Sequence, residues 1–407
     1  MNATRIKVSD GEIKTPDSPI IPVILGDGIG PEVINVARRV IDAAVHKTYG
    51  ESRAICWKEV SAGEYAFKVR GEWLPKETLE ALREYKVSLK GPLTTPVGGG
   101  IRSLNVAIRK KLDLYACVRP CKWIPGVPTP IRRPEALDII IFRENTEDVY
   151  AGIEWAAESE EARRVRNFLE ERMGISVSED SGLGLKVISR RATERLVRAA
   201  IRYAIKNRRR SVTIVHKGNI MKYTEGAFVK WAYELAEKEF GDLIIAEKDL
   251  TGKKLLDEGK IILKDRMADS MFQQILLKPE EYDVIVTPNL NGDYLSDACA
   301  AQIGGIGLAP GANINFETGV AVFEPTHGSA PKYAGLDRAN PTAAILSGAM
   351  MLEYIGWVEA ATIVRKALER TIRQKKVTAD LSRLMDGSET LTCSEFGEAV
   401  INNLIEL

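Results

Sequence analysis

The sequence contains few of the residues that hydrolases and disulfide-linked proteins need. Only three histidines occur among 407 residues, and no Gly-x-Ser-x-Gly motif is present, so few centres exist for serine or cysteine hydrolysis with a histidine base. The five cysteines are scattered from Cys56 to Cys393, and no second pair completes a zinc site with Cys117 and Cys121. We therefore expect buried or partly buried free thiols, and a chemistry that depends mainly on oxygen, lysine and arginine groups.

Excess charge and long apolar runs are also absent. The 57 basic residues nearly balance the 56 acidic ones, so no global field attracts nucleic acid or an anionic membrane. The basic runs Arg132-Arg133 and Arg208-Arg-Arg210 lack interleaved aromatic residues. The N-terminus lacks the apolar core of a signal peptide, and no stretch approaches the roughly 18 apolar residues of a spanning helix. These absences predict a soluble, cytoplasmic protein that binds neither nucleic acid nor membrane.

A complete Rossmann fingerprint is missing as well. Gly26-Asp-Gly28-Ile-Gly30-Pro31 follows an apolar run, but Pro31 stands where the fingerprint needs its third glycine. Ser52 and Arg53 lie where its acidic residue would be expected. We interpret the glycines as a tight turn into a helix that begins with proline, and we expect another loop to hold any dinucleotide.

What the sequence does contain is an alternation of apolar runs and amphipathic stretches. A helix is predicted after Pro31, with an apolar stripe from Val33 to Ala44. Strands are predicted at Ile20 to Leu25, Asp138 to Phe142, Leu185 to Ser189, Ser211 to His216, Leu243 to Glu247 and Asp283 to Thr287. This pattern favours an α/β architecture with a largely parallel sheet, several helices past Asn340, and an excursion or small subdomain at the charged segment Glu154 to Ser181.

Two pairs of aspartates are candidate metal ligands. Asp293 and Asp297 follow the apolar run Val284 to Thr287, so a strand leading into a helix would place both carboxylates on one helix face. Asp265 and Asp269 repeat this spacing upstream. Such oxygen ligands suit Mg²⁺ or Mn²⁺, with further ligands brought by the fold or by a second subunit. The alternative for each pair is a solvated helix face or an N-terminal cap.

Polar and cationic residues that could bind an anionic substrate lie at predicted element ends. Ser103, Asn105 and Arg109 follow the proline and glycine loop that starts at Lys90, and they would aim two neutral donors and one cation at one anionic group. Arg119 and Arg143 follow at a turn and at a strand end. Several guanidinium groups suit a substrate with several carboxylates, whereas isolated surface arginines are the alternative.

Two residues that follow predicted strands could transfer protons. Tyr150 and Lys217 have ordinary pKa values near ~10, so buried charge would have to shift them for acid or base catalysis. The alternatives are a core tyrosine and a surface lysine.

Several motifs together resemble the prokaryotic NADP-dependent isocitrate dehydrogenases, in order from about Ile20 to the C-terminus. They are Lys90-Gly-Pro-Leu-Thr-Thr-Pro-Val-Gly-Gly-Gly, Ser103-Leu-Asn-Val, Phe142-Arg-Glu-Asn-Thr-Glu-Asp-Val-Tyr150-Ala-Gly-Ile-Glu-Trp155, Val215-His-Lys-Gly-Asn-Ile-Met, Asn289-Leu-Asn-Gly-Asp and Thr326-His-Gly-Ser-Ala-Pro-Lys-Tyr333-Ala-Gly. That family belongs with the isopropylmalate dehydrogenases and has a dimeric α/β fold that is not a Rossmann fold. The resemblance implies a large domain (1–114 and 305–407), a small domain (115–147 and 190–304) and a clasp subdomain (148–189) at the dimer interface.

The resemblance also implies roles for individual residues in the metal-dependent oxidative decarboxylation of isocitrate to 2-oxoglutarate, a reaction of the tricarboxylic acid cycle. Ser103, Asn105, Arg109, Arg119 and Arg143 would bind the isocitrate carboxylates. Asp293 and Asp297 would hold Mg²⁺ or Mn²⁺ with Asp269 from the other subunit. Tyr150 would be the acid that protonates the enolate, and Lys217, from the other subunit, the partner in proton removal.

By the same matching, a further set of residues would bind the dinucleotide. It comprises Leu93, Thr94, Asn219, Ile306, His327, Gly328, Lys332, Tyr333, Asn340 and Arg383. Lys332, Tyr333 and Arg383 favour NADP, because they would recognise its 2′-phosphate. Ala379 stands where the NADP-using pattern often has tyrosine, so the preference is expected to be weaker than usual, and Lys278 replaces an arginine of a related member.

Two alternative hypotheses about the function lead to different expectations. Isopropylmalate, homoisocitrate or tartrate could replace isocitrate, although Ser103 and Asn105 argue against the apolar pocket that isopropylmalate needs. A non-catalytic regulatory subunit of the same fold would be expected to lack at least one metal aspartate, Lys217 or Tyr150.

Overall fold

The computed structural model describes residues 3–9, 12–95, 103–250 and 259–406. The strands are β1 (Lys7–Ser9), β2 (Glu12–Lys14), β3 (Ile20–Ile24), β4 (Cys56–Glu59), β5 (Val87–Lys90), β6 (Ala116–Lys122), β7 (Asp138–Glu144), β8 (Glu154–Trp155), β9 (Leu183–Gly184), β10 (Ser211–His216), β11 (Ile244–Ala246), β12 (Ile261–Met267), β13 (Val284–Thr287), β14 (Pro310–Asn315), β15 (Val320–Pro325), β16 (Lys376–Thr378) and β17 (Glu389–Leu391).

Helices connect and cover these strands. They are α1 (Gly30–Tyr49), α2 (Glu64–Arg70), α3 (Lys76–Tyr85), α4 (Leu104–Lys111), α5 (Glu160–Met173), α6 (Arg190–Lys206), α7 (Glu225–Phe240), α8 (Ala268–Leu277), α9 (Asn289–Gln302), α10 (Thr342–Tyr354), α11 (Val358–Arg373), α12 (Ala379–Ser382) and α13 (Cys393–Ile405). Among the residues the structure describes, none of these helices combines the length and apolar character needed to cross a bilayer.

One large mixed sheet organises the molecule. Its 11 strands lie in the order β11-β12-β10-β13-β7-β6-β14-β15-β5-β3-β4. Toward both ends of the sheet, neighbouring strands pair in parallel, as the alternation of apolar runs and helices predicted. The consecutive central pairs β7-β6, β6-β14 and β14-β15 are antiparallel. The α/β class is therefore confirmed, with an antiparallel centre that the strand pattern did not indicate.

The predicted boundary between the large and small domains falls between two neighbouring strands of this sheet, β6 and β14. Every strand from β11 to β6 in the sheet order belongs to the predicted small domain, and every strand from β14 to β4 to the large one. The sheet continues across the boundary, where Val118 of β6 lies opposite Ala312 of β14. The division remains a prediction about how the two halves behave.

Helix α1 forms as its pattern predicted. Its stripe from Val33 to Ala44 is buried, and Pro31 occupies its first turn. Gly28 has φ +60°, and a Cβ there would lie 1.9 Å from the carbonyl oxygen of Ser329. The glycines are thus explained by close packing of two backbones, in agreement with the tight-turn interpretation.

The predicted strand Leu185 to Ser189 is wrong. Leu185 and Val187 are exposed, and Ser189 instead caps α6 by accepting a hydrogen bond from the amide of Ala192 at 3.2 Å. The alternation of side chains there reflects a segment that lies on the surface. The other predicted strands correspond to β3, β7, β10, β11 and β13, with ends that differ by a few residues.

The segment 148–189 leaves the body of the molecule and returns to the same place. The amide of Asp148 donates to the carbonyl of Val187 at 2.7 Å, and the hydroxyl of Ser189 donates to Glu147 at 2.6 Å. Between these ends lie α5 and the antiparallel pair β8 and β9. The predicted excursion therefore has the geometry of a loop closed at its base.

Candidate active site

Three neighbouring strands bring the central residues of the site together. Thr287, the last residue of β13, lies opposite Arg143 of β7, and β7 pairs with β6, which carries Arg119. Helix α9 begins directly after β13 and Pro288, so Asp293 and Asp297 lie one turn apart on it. The predicted strand followed by a helix is confirmed. The N-terminal-cap alternative does not hold for Asp293, which lies inside the helix.

Two arginines meet Asp293. Arg143 forms a short ion pair with Oδ1 of Asp293, and its Nε donates to Asn289 at 2.9 Å. Nη1 of Arg119 donates to Ser296 at 2.6 Å and lies 3.4 Å from Asp293 and 3.5 Å from Asp297. Burial alone would raise the pKa of Asp293, but the arginine charges outweigh it and lower this pKa. The carboxylate therefore stays ionised, as a metal ligand must.

Tyr150 belongs to the same cluster. Its hydroxyl donates to Oδ2 of Asp293, and the guanidinium of Arg143 lies 5.0 Å from the centre of its ring. Burial and the hydrogen bond to Asp293 raise the pKa of Tyr150 to about 12. A phenol with this pKa keeps its proton at neutral pH, which suits an acid.

The wall beside this cluster carries the other predicted substrate residues. Arg109 pairs with Glu324 at 3.1 Å, and the amide oxygen of Asn105 accepts a hydrogen bond from Lys90 at 3.0 Å. Ser103 stands at the start of α4, where its hydroxyl is 3.5 Å from the amide of Val106. One pocket is lined by Lys90, Asn105, Arg109, Arg119 and His327, together with Cys117 and Glu324. The glycine loop preceding Ser103, residues 96–102, lies outside the described residues.

This pocket holds buried donors that can bind an anion. Nε of Arg109 is buried and has no hydrogen-bond partner among the described residues. Arg119 in the pocket wall is 9% exposed and Arg143 beside it is 1% exposed, so their charges act in poorly solvated surroundings. Arginine forks in such surroundings fit carboxylates well.

Lys217 and Asp269 form a second candidate cluster, outside the lining of this pocket. Nζ of Lys217 donates to Asp269 at 2.6 Å, and this bond lowers the pKa of Asp269. Asp265 faces away from both, because it accepts hydrogen bonds from His216 and from Tyr233 at 2.8 Å. Within the described part of the chain, no cluster of three or more acidic, histidine or cysteine ligands forms. A single chain thus brings together Asp293 and Asp297, but not Asp269.

The predicted dinucleotide residues form two groups. The hydroxyl of Thr94 lies 2.7 Å from the hydroxyl of Ser329. Leu93, which precedes Thr94 in the sequence, is buried. His327 and Gly328 come just before Ser329, and Nδ1 of His327 lies 2.9 Å from the carbonyl of Gly328. Nε2 of His327 is buried without a partner among the described residues. Burial lowers the pKa of His327, so the ring is neutral and can hydrogen-bond a ligand.

The second group has two parts, one on and near α12 and one in the short helical turn Pro331–Tyr333. The amide of Asn340 donates to Asp380 at 3.0 Å, and a Cβ on Gly307, beside Ile306, would lie 3.8 Å from that carboxylate. Arg383 follows at the end of the same short helix and is exposed. Exposed Lys332 lies over the ring of Tyr333 at 4.8 Å. Asn219 is apart from both groups, on the exposed loop that carries Lys217.

Sequence reasoning missed several residues of the site. Glu324 is the main one: it is buried between Lys90, at 2.5 Å, and Arg109. Ser296 and Asn289 hold Arg119 and Arg143. Lys90 and Asn289 stood at the ends of quoted motifs, whereas nothing in the local pattern marked Glu324 or Ser296. The cysteine prediction holds for the four buried thiols and is wrong for Cys56, which is exposed.

Comparisons with known proteins agree with this geometry. The model of the isocitrate/isopropylmalate dehydrogenase family matches residues 20–400. The chain is 57% identical over 408 residues to an NADP isocitrate dehydrogenase of Archaeoglobus fulgidus, covering 100% of this chain and 98% of that protein. It is 55% identical over 421 residues to one of Staphylococcus aureus, covering 99% and 100%. The isocitrate dehydrogenase structure from Methylococcus capsulatus superposes with a TM-score of 0.78 at 38% identity, covering 95% of this chain and 99% of that one.

The chain therefore belongs to the isocitrate/isopropylmalate dehydrogenase family. Its fold is that family's α/β fold with a large mixed sheet, as the motifs predicted.

Proposed function

We propose that the chain catalyses the oxidative decarboxylation of isocitrate to 2-oxoglutarate and CO₂ with reduction of NADP. Relatives with this activity match it over essentially its whole length. The observation that carries the proposal is the position of Arg109 and Arg119 in one pocket, with Arg119 also contacting Asp293, which Arg143 holds from the other side.

The pocket suits a tricarboxylic acid because its cations outnumber the groups that neutralise them. Four cations face three carboxylates there: Arg119 and Arg143 share Asp293, Arg119 also lies 3.5 Å from Asp297, and Lys90 and Arg109 share Glu324. A substrate with several carboxylates would supply the missing negative charge, and Ser103 and Asn105 add neutral polar groups at its edge.

The chain's own residues would divide the proton transfers. Lys217 of the partner subunit would take the proton of the C2 hydroxyl as C2 is oxidised. Carbon dioxide then leaves C3, and Tyr150 protonates C3 of the enolate. NADP⁺ held near His327 would supply the acceptor for the C2 hydride, and a divalent cation held by Asp293 and Asp297 would supply a Lewis acid for the C2 oxygen.

Mg²⁺ or Mn²⁺ fits the carboxylates that are present. Asp293 and Asp297 offer oxygens on one face of α9, and Asp297 is 60% exposed beside the pocket. We propose that Asp269 of the partner subunit completes the set, because within the described residues of one chain Asp269 does not join Asp293 and Asp297. Such a site leaves positions open for substrate oxygens.

NADP fits the two groups of predicted dinucleotide residues. The buried, unpartnered Nε2 of His327 offers a hydrogen bond, and Lys332, Tyr333 and Arg383 supply exposed positive charge and a phenol for a phosphate. We place Leu93, Thr94, Gly328, Ile306 and Asn340 along the bound dinucleotide, with Asn219 reaching it from the partner subunit.

A homodimer would explain both the separated residues and an apolar surface. Segment 148–189 carries exposed apolar side chains at Val149, Ile153, Phe168, Met173, Ile175, Leu185 and Val187. Clustered exposed apolar groups mark interaction sites. We propose that two copies of this segment interlock, that the dimer shares its two sites, and that it works in the cytoplasm.

Initial rates on a panel of substrates test the proposal. NADP⁺ should be reduced rapidly with isocitrate and Mg²⁺, and at least ~100-fold more slowly with isopropylmalate or tartrate, because these dicarboxylates leave charged groups of the pocket unpaired. Homoisocitrate has the same three carboxylates and one more methylene, so its rate should be lower by roughly 10-fold or more. Faster turnover of any of these acids than of isocitrate would overturn the assignment. Replacing NADP⁺ by NAD⁺ in the same assay measures the cofactor preference.

A further inference from the structure

A half-buried lysine connects the turn that carries Tyr150 to the loop that carries Lys217. Nζ of Lys186 pairs with Oδ1 of Asp148 and lies 2.9 Å from Oε1 of Glu225. The side chain of Lys186 is 16% exposed, and those of Asp148 and Glu225 are 1% and 0% exposed. We call these three residues the Lys186 bridge.

On one side, the bridge holds the turn of Tyr150 against α9. Asp148 and Tyr150 share one short helical turn, Asp148–Ala151. Oδ2 of Asp148 accepts a hydrogen bond from the amide of Leu290 at 2.9 Å, in the first turn of α9, the helix of Asp293 and Asp297. Asp148 adopts φ +68°, a conformation that costs an ordinary residue energy and persists when contacts enforce it.

On the other side, the bridge holds the loop of Lys217. Oε2 of Glu225 accepts hydrogen bonds from the backbone amide of Lys217 at 2.5 Å and from the side chain of Asn291, on α9, at 2.9 Å. Each carboxylate of the bridge thus fixes one catalytic segment, and both are fixed to the start of α9. Lys186 is the cation between them.

We infer that Lys186 is a positioning residue that couples the two active sites of the dimer. The inference rests on the proposed function, in which Tyr150 serves its own chain's site and Lys217 serves the partner's. The bridge joins the turn of Tyr150 and the loop of Lys217 within one chain. Each chain therefore uses a single lysine to hold one residue of its own site and one residue of its partner's site. Neither Lys186 nor Glu225 touches the substrate pocket; they act through the backbones of residues 148 and 217.

The first test separates positioning from binding. Lys186→Met should lower kcat about tenfold while the KM for isocitrate and for NADP⁺ stays within twofold, because small displacements of proton-transfer groups slow turnover without removing binding contacts. Lys186→Arg should restore most of the rate. The control is Lys122→Met, which removes an exposed lysine paired with Asp138 at 2.7 Å and should leave both constants unchanged.

A second variant covers loss of folding. Lys186→Met leaves two buried carboxylates without their cation, so Lys186→Met with Glu225→Gln removes one positive and one negative charge together. We expect this double variant to fold and to show the same loss of kcat. A folded variant of either kind with an unchanged kcat, or with a loss expressed in KM instead, would overturn the inference.

Hybrid dimers then separate the inference from the proposed function. A dimer of one Tyr150→Phe chain and one Lys217→Met chain keeps one intact site, so mixing the inactive variants should restore activity; no restoration would refute shared sites. If activity returns, Lys186→Met added to the Tyr150→Phe chain displaces the working Lys217, and added to the other chain it displaces the working Tyr150. A drop of about tenfold is expected in both hybrids. A drop in only one, or in neither, would overturn the coupling while leaving the proposed function intact.

Discussion

The two groups of proposed catalytic residues are held in very different ways. Arg143, Arg119 and Asp293 form a buried cluster, with the two arginines 1% and 9% exposed. Lys217 and Asp269 pair with one another at the surface, 33% and 66% exposed. The buried cluster is organised by its own chain, whereas neither Lys217 nor Asp269 lines the described pocket.

This difference shows which part of the site one chain can preorganise. The arginines are held by Ser296, Asn289 and Asp293 before any ligand binds, so little reorganisation is needed for substrate carboxylates. Lys217 and Asp269 pair with each other here, and in our proposal they would serve the pocket of a second chain. Substrate recognition would then belong to one chain, and proton removal and metal binding to two.

The largest effect is expected where the two groups would share the metal. Asp293→Asn removes a metal ligand and the partner of two arginines, so kcat/KM for isocitrate should fall by about 10³-fold. Steady-state rates at saturating Mg²⁺ measure this. Asp138→Asn, at a surface ion pair, serves as the matched control. A rate for Asp293→Asn within a few-fold of the parent would remove the metal role.

A substitution of Glu324 tests how strongly the buried charges stabilise the fold. Glu324→Gln leaves Lys90 and Arg109 without their counter-charge and should lower the free energy of unfolding by about 3 kcal/mol at pH 7. Glu353→Gln, at an exposed pair with Arg365, should cost well under ~1 kcal/mol. Urea titrations of both variants give the two values, and equal values would contradict a special role for the buried pair.

Glu324 should also make the free energy of unfolding depend on pH. Burial would raise the pKa of Glu324, but Lys90 and Arg109 outweigh it and lower this pKa to about 2. Because the folded pKa is below the unfolded value near ~4.3, the charged form stabilises the fold above that value, and this contribution is lost as the pH falls toward 2. The stability difference between the parent and Glu324→Gln should be constant from neutral pH to about 5 and shrink below it. Urea titrations across this range check it, and a difference that grows in acid would have the wrong sign.

Arg143→Lys tests whether the arginine fork matters beyond its charge. Lysine keeps the charge but loses the fork that binds Asn289 and Asp293, so kcat/KM for isocitrate should fall about 50-fold. Arg198→Lys, where a surface arginine binds Glu239 through two bonds of 2.7 and 2.6 Å, should change neither rate nor KM. A similar loss in both variants would mean that activity follows stability and not recognition.

The smallest effect is expected at the exposed cofactor residues. Arg383→Ala should raise the KM for NADP⁺ about tenfold and leave the KM for NAD⁺ unchanged, because only NADP carries the 2′-phosphate. Ala379→Tyr should shift the preference the other way. Arg373→Ala, which removes an exposed arginine paired with Glu369, is the control. Equal changes for both cofactors would exclude phosphate recognition by Arg383.

Much of the fold and part of the site could be predicted from the sequence, and the limits have physical causes. The stripe of α1 and the step from β13 into α9 are local patterns, so they placed Asp293 and Asp297 correctly. The antiparallel centre of the sheet depends on pairing between distant strands, which local patterns do not encode. Glu324 and Ser296 act through partners far away in the sequence and carried no signal. Leu185 to Ser189 showed that alternation alone does not separate a strand from an exposed segment.

The most direct measurement is a structure of the dimer with isocitrate and Mg²⁺ bound. We expect Arg109, Arg119 and Arg143 on the isocitrate carboxylates, and Asp293, Asp297 and Asp269 of the partner subunit around one cation. Isocitrate bound elsewhere, or a cation coordinated by one chain alone, would contradict it.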